Sequence, residues 1–312
     1  MTSPQVPIRS AIIGFVILIA LVLAIPAIFP PNIPEITRVN SSISAVPHAF
    51  VVSRAAIPPI DAFPNVTLTK LISPVREREK GNVLSLTEDL SYVVIDREAR
   101  TPPHILSETT EVIYIVSGTT SIHANGSMVN AKAGQAVFIP KNTVQSVVNT
   151  GTVPLVYISI LDPWYTEKTE IKINADTTAE VSFDAVPLRL WISNETDPRV
   201  YFDRLMLYQI ISPTATNRQG LNVKVPYNWG YVTIPEGGGS LPHILKLTSE
   251  VIYVISGSAT ARVGNDTFPL KAGDTLFIPK DTVQAVTNTG QGTLEYLMLL
   301  DPYGRPETNV NT

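Results

Sequence analysis

The sequence predicts an all-β protein made of two similar domains in tandem, preceded by one transmembrane helix. Three observations lead to this prediction. A long stretch of the chain repeats itself at a constant offset. Each copy consists of short apolar segments separated by turn residues, which is typical of β-strands. An uncharged apolar segment near the N-terminus is long enough to span a bilayer.

The composition excludes several functional classes. The 312 residues include no cysteine, so a disulfide scaffold, a thiolate metal site and a cysteine nucleophile are ruled out. Lys and Arg total 23 against 27 Asp and Glu, which gives a net charge of −4. Because there is no basic excess to neutralise phosphates, we expect no nucleic-acid partner.

The predicted membrane anchor lies at the N-terminus. Residues 10–34 carry no charge, and the mostly apolar run 10–29 is long enough to cross the hydrocarbon core as a helix. Arg9 favours a cytoplasmic position for the tail 1–9. A cleaved signal peptide is the alternative, but the run is long for one and lacks a good cleavage site after it. We therefore predict an uncleaved signal anchor in the cell membrane, with the rest of the chain outside.

Residues 30–62 are assigned to a proline-rich stem and to a strand that leads into the first domain, because three prolines occur within five residues after the anchor. Asn-x-Ser/Thr sequences support an extracytoplasmic location, since they are acceptors for N-glycosylation. The candidate acceptors are Asn40, Asn65, Asn125, Asn194 and Asn265.

The duplication sets the domain organisation. Residues 103–163 align with 242–302 at an offset of 139, without a gap and with 30 of 61 positions identical. Domains are therefore expected at 63–170 and 185–306. In the first copy, strands are predicted for Glu111–Ser117, Thr119–Ala124, Gln135–Ile139, Thr143–Asn149 and Leu155–Leu161. Asn125-Gly126 predicts a tight hairpin turn between two of them.

Two motifs in each copy resemble those of the cupin family. The first motif is matched by His104, Glu111 and Gly118 in one copy, and by Gly237, His243, Glu250 and Gly257 in the other. The second motif is matched by Gly134, Pro140 and Asn149, and again by Gly273, Pro279 and Asn288. The resemblance implies two tandem cupin β-barrels of the jelly-roll type, that is, a bicupin.

The departures from the family pattern concern the metal site. The resemblance implies four metal ligands per barrel, namely two histidines and a glutamate in the first motif and one histidine in the second. Leu106 and Leu245 occupy the second histidine position, and Gln145 and Gln284 occupy the last. Asn142 and Asp281 replace a glycine of the second motif. Each barrel keeps one histidine, one glutamate and one glutamine: His104, Glu111, Gln145, and His243, Glu250, Gln284.

Two interpretations of this reduced set remain open. The three side chains could hold a divalent metal such as Mn, Fe, Zn, Ni or Cu, although glutamine is a weaker ligand than imidazole. Alternatively, the ancestral site has decayed and the Glu and Gln side chains hydrogen-bond each other. In a functional site, Leu106 and Leu245 would form part of the pocket wall. Because residues and spacings match, the two barrels are expected to act equivalently.

Three functions follow as hypotheses, and the sequence identifies no catalytic residue. The first is a non-catalytic protein whose barrels bind a small ligand or pack against partner subunits. The second is a metal-dependent enzyme similar to oxalate-decarboxylase or dioxygenase bicupins. The third is a sugar-binding or sugar-modifying cupin that acts on envelope glycans without a metal.

Overall fold

The computed structural model describes residues 48–79, 84, 86–173, 188–202, 204–304 and 309–311. The predicted tail, the anchor at 10–29, Asn40 and most of the stem lie outside these residues. Within them, no helix is both long enough and apolar enough to cross a membrane.

The described residues form β-structure almost throughout. The strands of the first half are β1 (Phe50–Ser53), β2 (Ile60–Phe63), β3 (Val66–Ile72), β4 (Asp89–Ile95), β5 (His104–Leu106), β6 (Thr110–Ser117), β7 (Thr119–Ala124), β8 (Ser127–Lys132), β9 (Gln135–Ile139), β10 (Val144–Asn149), β11 (Leu155–Asp162) and β12 (Glu170–Lys172). The strands of the second half are β13 (Arg189–Ile192), β14 (Arg199–Tyr201), β15 (Leu205–Ser212), β16 (Leu221–Asn222), β17 (Asn228–Ile234), β18 (His243–Leu245), β19 (Ser249–Ser256), β20 (Ser258–Val263), β21 (Asp266–Lys271), β22 (Asp274–Ile278), β23 (Val283–Asn288), β24 (Leu294–Asp301) and β25 (Asn309–Asn311).

The described helices are short. One α-helix, α1 (Pro74–Glu79), connects β3 to β4. The 3-10 helices are Arg54–Ala56, Glu167–Thr169, Ser193–Glu195 and Asn217–Gln219. The all-β prediction is thus confirmed for the described residues, and each predicted strand is present to within one residue at its ends.

The strands form two barrels, each made of a large and a small sheet. In the first barrel the large sheet has the order β13-β9-β6-β11-β4-β3-β2, and the small one β12-β5-β10-β7-β8. In the second barrel the large sheet has the order β1-β22-β19-β24-β17-β15-β14, with β16 beside β15, and the small one β21-β20-β23-β18-β25. The tandem arrangement predicted from the duplication is confirmed.

Each barrel completes its large sheet with a strand from outside its own predicted segment. β1 pairs with β22 of the second barrel, where Phe50 lies opposite Phe277. β13 pairs with β9 of the first barrel, where Arg189 lies opposite Phe138. The domain boundaries at 63–170 and 185–306 miss this exchange. The segment 30–62 holds β1, which belongs to the second barrel, as well as most of β2, which leads into the first barrel as expected. β13 belongs to the first barrel.

The large sheets are buried on both faces, which explains why β6 and β19 are almost continuously apolar. In β6, Ile113 and Ile115 face the core of the first barrel. Val112 and Tyr114 face a second apolar cluster, which the large sheets of the two barrels share. This shared cluster includes the fully buried Trp229. Burial of these apolar side chains between the two large sheets holds the barrels together.

Candidate functional site

The residues singled out by the motifs meet at the interior of each barrel. In the first barrel, His104 on β5 lies directly opposite Gln145 on β10, within the small sheet. Glu111 projects from β6 of the large sheet, and all three side chains are buried. The second barrel repeats this arrangement, with His243 opposite Gln284. The two sheets of a barrel therefore bring together residues that are up to 41 positions apart.

A hydrogen-bond network satisfies this set in the first barrel. The side-chain amide of Gln145 donates to Oε2 of Glu111 at 2.7 Å, and its nitrogen lies 3.3 Å from Nε2 of His104. Nδ1 of His104 is 2.9 Å from the Pro102 carbonyl, so it carries the proton and leaves Nε2 as an acceptor. Ser159 donates to Oε1 of Glu111 at 2.6 Å. Both carboxylate oxygens thus have donors.

The second barrel has the same network but lacks the serine. Gln284 donates to Oε2 of Glu250 at 2.5 Å, and its amide nitrogen lies 3.4 Å from Nε2 of His243. Nδ1 of His243 faces the carbonyl of Leu241 at 2.8 Å. Met298 occupies the position equivalent to Ser159, so the second carboxylate oxygen receives no hydroxyl from this strand.

Burial raises the pKa of both glutamates. Desolvation raises the pKa of Glu111, and the hydrogen bonds from Ser159 and Gln145 oppose this rise. Desolvation raises the pKa of Glu250 to about 7, opposed by the hydrogen bond from Gln284. The pKa of His243 is lowered by burial, against the hydrogen bond to Leu241. Near pH 7 the Glu250 carboxyl is therefore about half protonated.

The arrangement does not fit a resident transition metal. The group that faces both Nε2 of His104 and Oε2 of Glu111 is the NH₂ of Gln145, a donor that cannot ligate a cation. The amide would have to turn over to present its oxygen, and the set would then supply only one imidazole. Among the described residues, no group of three or more His, Asp or Glu side chains is placed to hold a metal ion.

The residues that replace the motif glycine have positive φ angles. Asn142 has φ of 58° and Asp281 has φ of 61°, in the left-handed region that asparagine and aspartate tolerate better than other residues with side chains. The Asp281 carboxylate also accepts the backbone N–H of Leu247 at 2.9 Å. The replacements therefore leave the turn before β10 and β23 intact.

The two barrels differ in the space beside these residues. The first barrel contains a cavity of about 660 Å³, with His104, Leu106 and Glu111 in its lining. The corresponding cavity of the second barrel, where Leu245 forms part of the lining, measures about 110 Å³. Small-molecule sites typically measure roughly 300–1,000 Å³. Only the first cavity falls in this range, so the two barrels differ in the space they offer a ligand, and their equivalent action remains a prediction.

Bulkier side chains fill the second cavity. Tyr201 lines it at the position equivalent to Ala62, and Met298 at the position equivalent to Ser159. The first cavity opens to solvent beside the exposed residues Ile60 and Glu167.

Further polar residues line the first cavity, and the motif analysis missed them. The charged residues Lys70 and Asp89, the phenol of Tyr165 and the hydroxyls of Ser91 and Ser159 belong to this lining. Their counterparts at the duplication offset are Gln209, Asn228, Gly304, Gly230 and Met298. The sequence could have revealed these residues only through this difference between the two copies. The His, Leu, Glu and Gln positions, by contrast, are identical in both.

The other candidate residues lie at the surface or in packing positions. Asn65, Asn194 and Asn265 are exposed. Asn125 is half-buried in the β7–β8 turn, where its side-chain oxygen accepts the backbone N–H of Val144 at 2.8 Å. Tyr114 packs in the shared cluster, 6.0 Å between ring centroids from Tyr231.

Both barrels are similar to a known domain. Residues 91–161 and 230–300 each match the cupin domain. The chain is 30% identical over 78 residues to an uncharacterized protein of Methanocaldococcus jannaschii, and this match covers 25% of the chain and 62% of that relative. The chain thus spans less than two thirds of the relative's length.

Solved structures share the tandem arrangement. Oxalate decarboxylase from Bacillus subtilis superposes with a TM-score of 0.63 at 14% identity, over 85% of this chain and 78% of that one. Protein Ylba from E. coli gives a TM-score of 0.59 at 14% identity, over 83% of this chain and 94% of that one. At such identities the likeness shows the bicupin fold alone.

Proposed function

We propose that this protein, which contains two cupin domains, is a membrane-anchored extracytoplasmic receptor that binds a small molecule in its first barrel without catalysing a reaction. One observation carries the proposal: the first barrel has a cavity of about 660 Å³ with polar groups in its lining, whereas the second has about 110 Å³. The second barrel then serves as a structural partner, held by the exchanged strands β1 and β13.

The hydrogen bonding of the site supports binding rather than catalysis. Both oxygens of Glu111 are engaged, by Ser159 and by Gln145. The free lone pair of His104 faces the same Gln145 amide. A general base must hold a proton acceptor within reach of the substrate, and the groups that could do so here already accept hydrogen bonds from one another.

The location rests on the apolar segment 10–29, on Arg9 and on the exposed acceptor sites Asn65, Asn194 and Asn265. Protease added to intact cells is expected to remove the barrels. Barrels that resist the protease until the cells are lysed would contradict this topology.

Native mass spectrometry of the full chain in detergent tests the binding function. We expect one small molecule per chain to copurify. The double variant Ala62→Tyr/Ser159→Met, which copies the residues of the second barrel, should lose it. The reverse double variant in the second barrel, Tyr201→Ala/Met298→Ser, is the matched control and should keep it. Absence of a bound molecule from the parent chain, or its retention by the first variant, would refute the proposal.

A metal-dependent enzyme is the second candidate, and the convergence of His104, Glu111 and Gln145 beside a substrate-sized cavity favours it. It requires the Gln145 amide to turn over so that its oxygen faces the cation. Elemental analysis of the purified full chain for Mn, Fe, Zn, Ni and Cu distinguishes the two candidates. Near-stoichiometric metal that disappears in Glu111→Gln would support the enzyme.

A further inference from the structure

An aromatic ring closes the cavity of the second barrel. Phe202, which directly follows β14, lines this cavity of about 110 Å³. The centroids of its ring and of the His243 ring are 5.4 Å apart. Phe202 is half-buried, so its ring stands between His243 and solvent. Phe63 is its counterpart in the first barrel, with its ring 5.8 Å from that of His104.

The backbone of Phe202 is strained. Its φ is 52°, in the left-handed region that bulky side chains disfavour. Phe63 has no positive φ, so packing of a ring against the histidine does not require this conformation. Strained residues persist only where the surrounding structure imposes them, and they are concentrated at ligand sites and switches. The strain therefore favours movement of Phe202 out of the cavity.

The lining of the second cavity favours an uncharged occupant. Leucine, valine, methionine and aromatic side chains make up most of it. Its titratable groups are Tyr201, His243, Glu250 and Tyr296, and no lysine, arginine or aspartate of the described residues joins them. An anion would find only His243, whose pKa burial lowers, and a cation only Glu250, whose pKa burial raises to about 7. An ion without a charged partner is costly to bury.

One oxygen in this cavity is available to a ligand. The amide of Gln284 donates to Oε2 of Glu250, and no described group donates to Oε1. Oε1 is not among the atoms that are both unpartnered and closed off, so it opens on the cavity that Glu250 lines. A hydroxyl pairs with a carboxyl oxygen in either protonation state, because a hydroxyl both donates and accepts.

Going beyond the proposed function, we infer that the second barrel holds a closed site for a small uncharged aromatic molecule with one hydroxyl group, such as a phenol, and that Phe202 is its gate. An apolar cavity of roughly 150 Å³ can bind benzene, which is more than the second cavity offers with the gate in place. When the Phe202 ring turns outward, the ligand ring takes its position beside His243. The ligand hydroxyl then meets Oε1 of Glu250.

Carbon-13 NMR of the methionine methyl groups in the full chain tests the inference. The chain has four methionines, of which Met298 lines the second cavity and Met128 is exposed in the first barrel. Titration with 4-fluorophenol should shift the Met298 resonance to saturation and leave Met128 as an unmoved reference. Toluene should bind more weakly, because it lacks the hydroxyl. Benzoate, benzylammonium and D-glucose represent anions, cations and polyols, and should leave Met298 unmoved.

Substitutions then test the gate. Phe202→Gly removes the ring and tolerates the positive φ, so it should lower the Kd for 4-fluorophenol about tenfold or more, because the open form is no longer a minor population. Phe202→Ala removes the ring but keeps the backbone strain, so it should melt at a lower temperature than Phe202→Gly. The matched control pair is Phe63→Gly and Phe63→Ala. These should melt in the opposite order and leave the Met298 titration as in the parent.

Three results would overturn the inference. If neither 4-fluorophenol nor toluene shifts Met298 in the parent or in Phe202→Gly, the second barrel holds no such site. If 4-fluorophenol binds equally well to both chains, Phe202 is not a gate. If benzoate or benzylammonium shifts Met298 more strongly than 4-fluorophenol does, the ligand class is wrong. None of these results depends on a molecule bound in the first barrel, so the proposed function stands or fails separately.

Discussion

The hydroxyl of Ser159 donates a 2.6 Å hydrogen bond to Glu111 across the floor of the first barrel, and the second barrel has a methionine in its place. This one difference changes two properties together. It gives Glu111 a donor that offsets part of its desolvation, and it leaves empty the volume that Met298 fills in the second barrel. The serine at this position therefore contributes both to the polar lining of the first cavity and to its larger volume.

Replacing Ser159 by methionine should therefore raise the pKa of Glu111 and shrink the cavity. We expect a loss of roughly 1–2 kcal/mol in the free energy of unfolding, because a buried carboxylate loses a hydrogen bond. Carbon-13 NMR of the labelled glutamate carboxyls would follow the pKa, and denaturant titration the stability. Ser117→Met, a change at an exposed position of β6, is the control for the substitution itself, and it should leave the Glu111 titration unchanged.

The fold could be predicted from the sequence because strands and turns depend on neighbouring residues and because every element occurs twice. The strand pattern of Thr119–Ala124 and the turn at Asn125 depend on neighbouring residues, and the duplication shows every element twice. The meeting of His104, Glu111 and Gln145 followed from their motif positions.

The rest depends on non-local geometry. The pairing of Phe50 with Phe277 joins segments that no local pattern connects. The volume of a cavity depends on which side chains face each other across a barrel, and Ser159 and Met298 reveal their effect only once the strands are in register. The Gln145 amide was left open between metal ligation and a hydrogen bond to Glu111, and its position favours the second.

Restoring the two missing histidines should create a metal site in the first barrel. Leu106→His and Gln145→His together would supply the histidine positions that the family resemblance implies, beside His104 and Glu111. The Gln145 amide, which now faces Nε2 of His104 and donates to Glu111, would be removed. Elemental analysis after exposure to Mn²⁺, Zn²⁺ or Ni²⁺ should show about one metal ion per chain.

The same analysis of the Leu106→His single variant controls for adventitious binding to an added imidazole, and it should show substoichiometric metal. If the double variant binds no metal either, the backbone of these strands no longer places four ligands around one point.

Truncation of Trp191 should uncouple the two barrels. Trp191 on β13 is buried in the cluster shared by the large sheets, 6.4 Å between ring centroids from Tyr114. Trp191→Ala should lower the free energy of unfolding by about 3–5 kcal/mol, the usual cost of a large core cavity. Trp164→Ala is the control, because Trp164 is half-buried and lies outside the clusters. If a calorimetric scan shows the same loss of stability in both variants, Trp191 contributes no more to stability than a half-buried tryptophan outside the cluster.

Stability should fall with rising pH because of Glu250. Its folded pKa is about 7, whereas an unfolded glutamate has a pKa of about 4.3. Between these values the unfolded chain has released its proton and the folded chain still holds it, so raising the pH favours unfolding. Glutamine at this position cannot titrate. From pH 4 to pH 8, the free energy of unfolding of Glu250→Gln should therefore rise by roughly 3 kcal/mol relative to the parent.

Denaturant titrations of both chains across this pH range would measure the difference. Burial also raises the pKa of Glu88 and of Asp301, but both groups are present in both chains and cancel in the comparison. Glu98→Gln is the control, since the Glu98 side chain is 83% exposed and its replacement should leave the pH dependence unchanged. If Glu250→Gln follows the parent at every pH, Glu250 is ionised in the folded protein, and the hydrogen bond from Gln284 outweighs its desolvation.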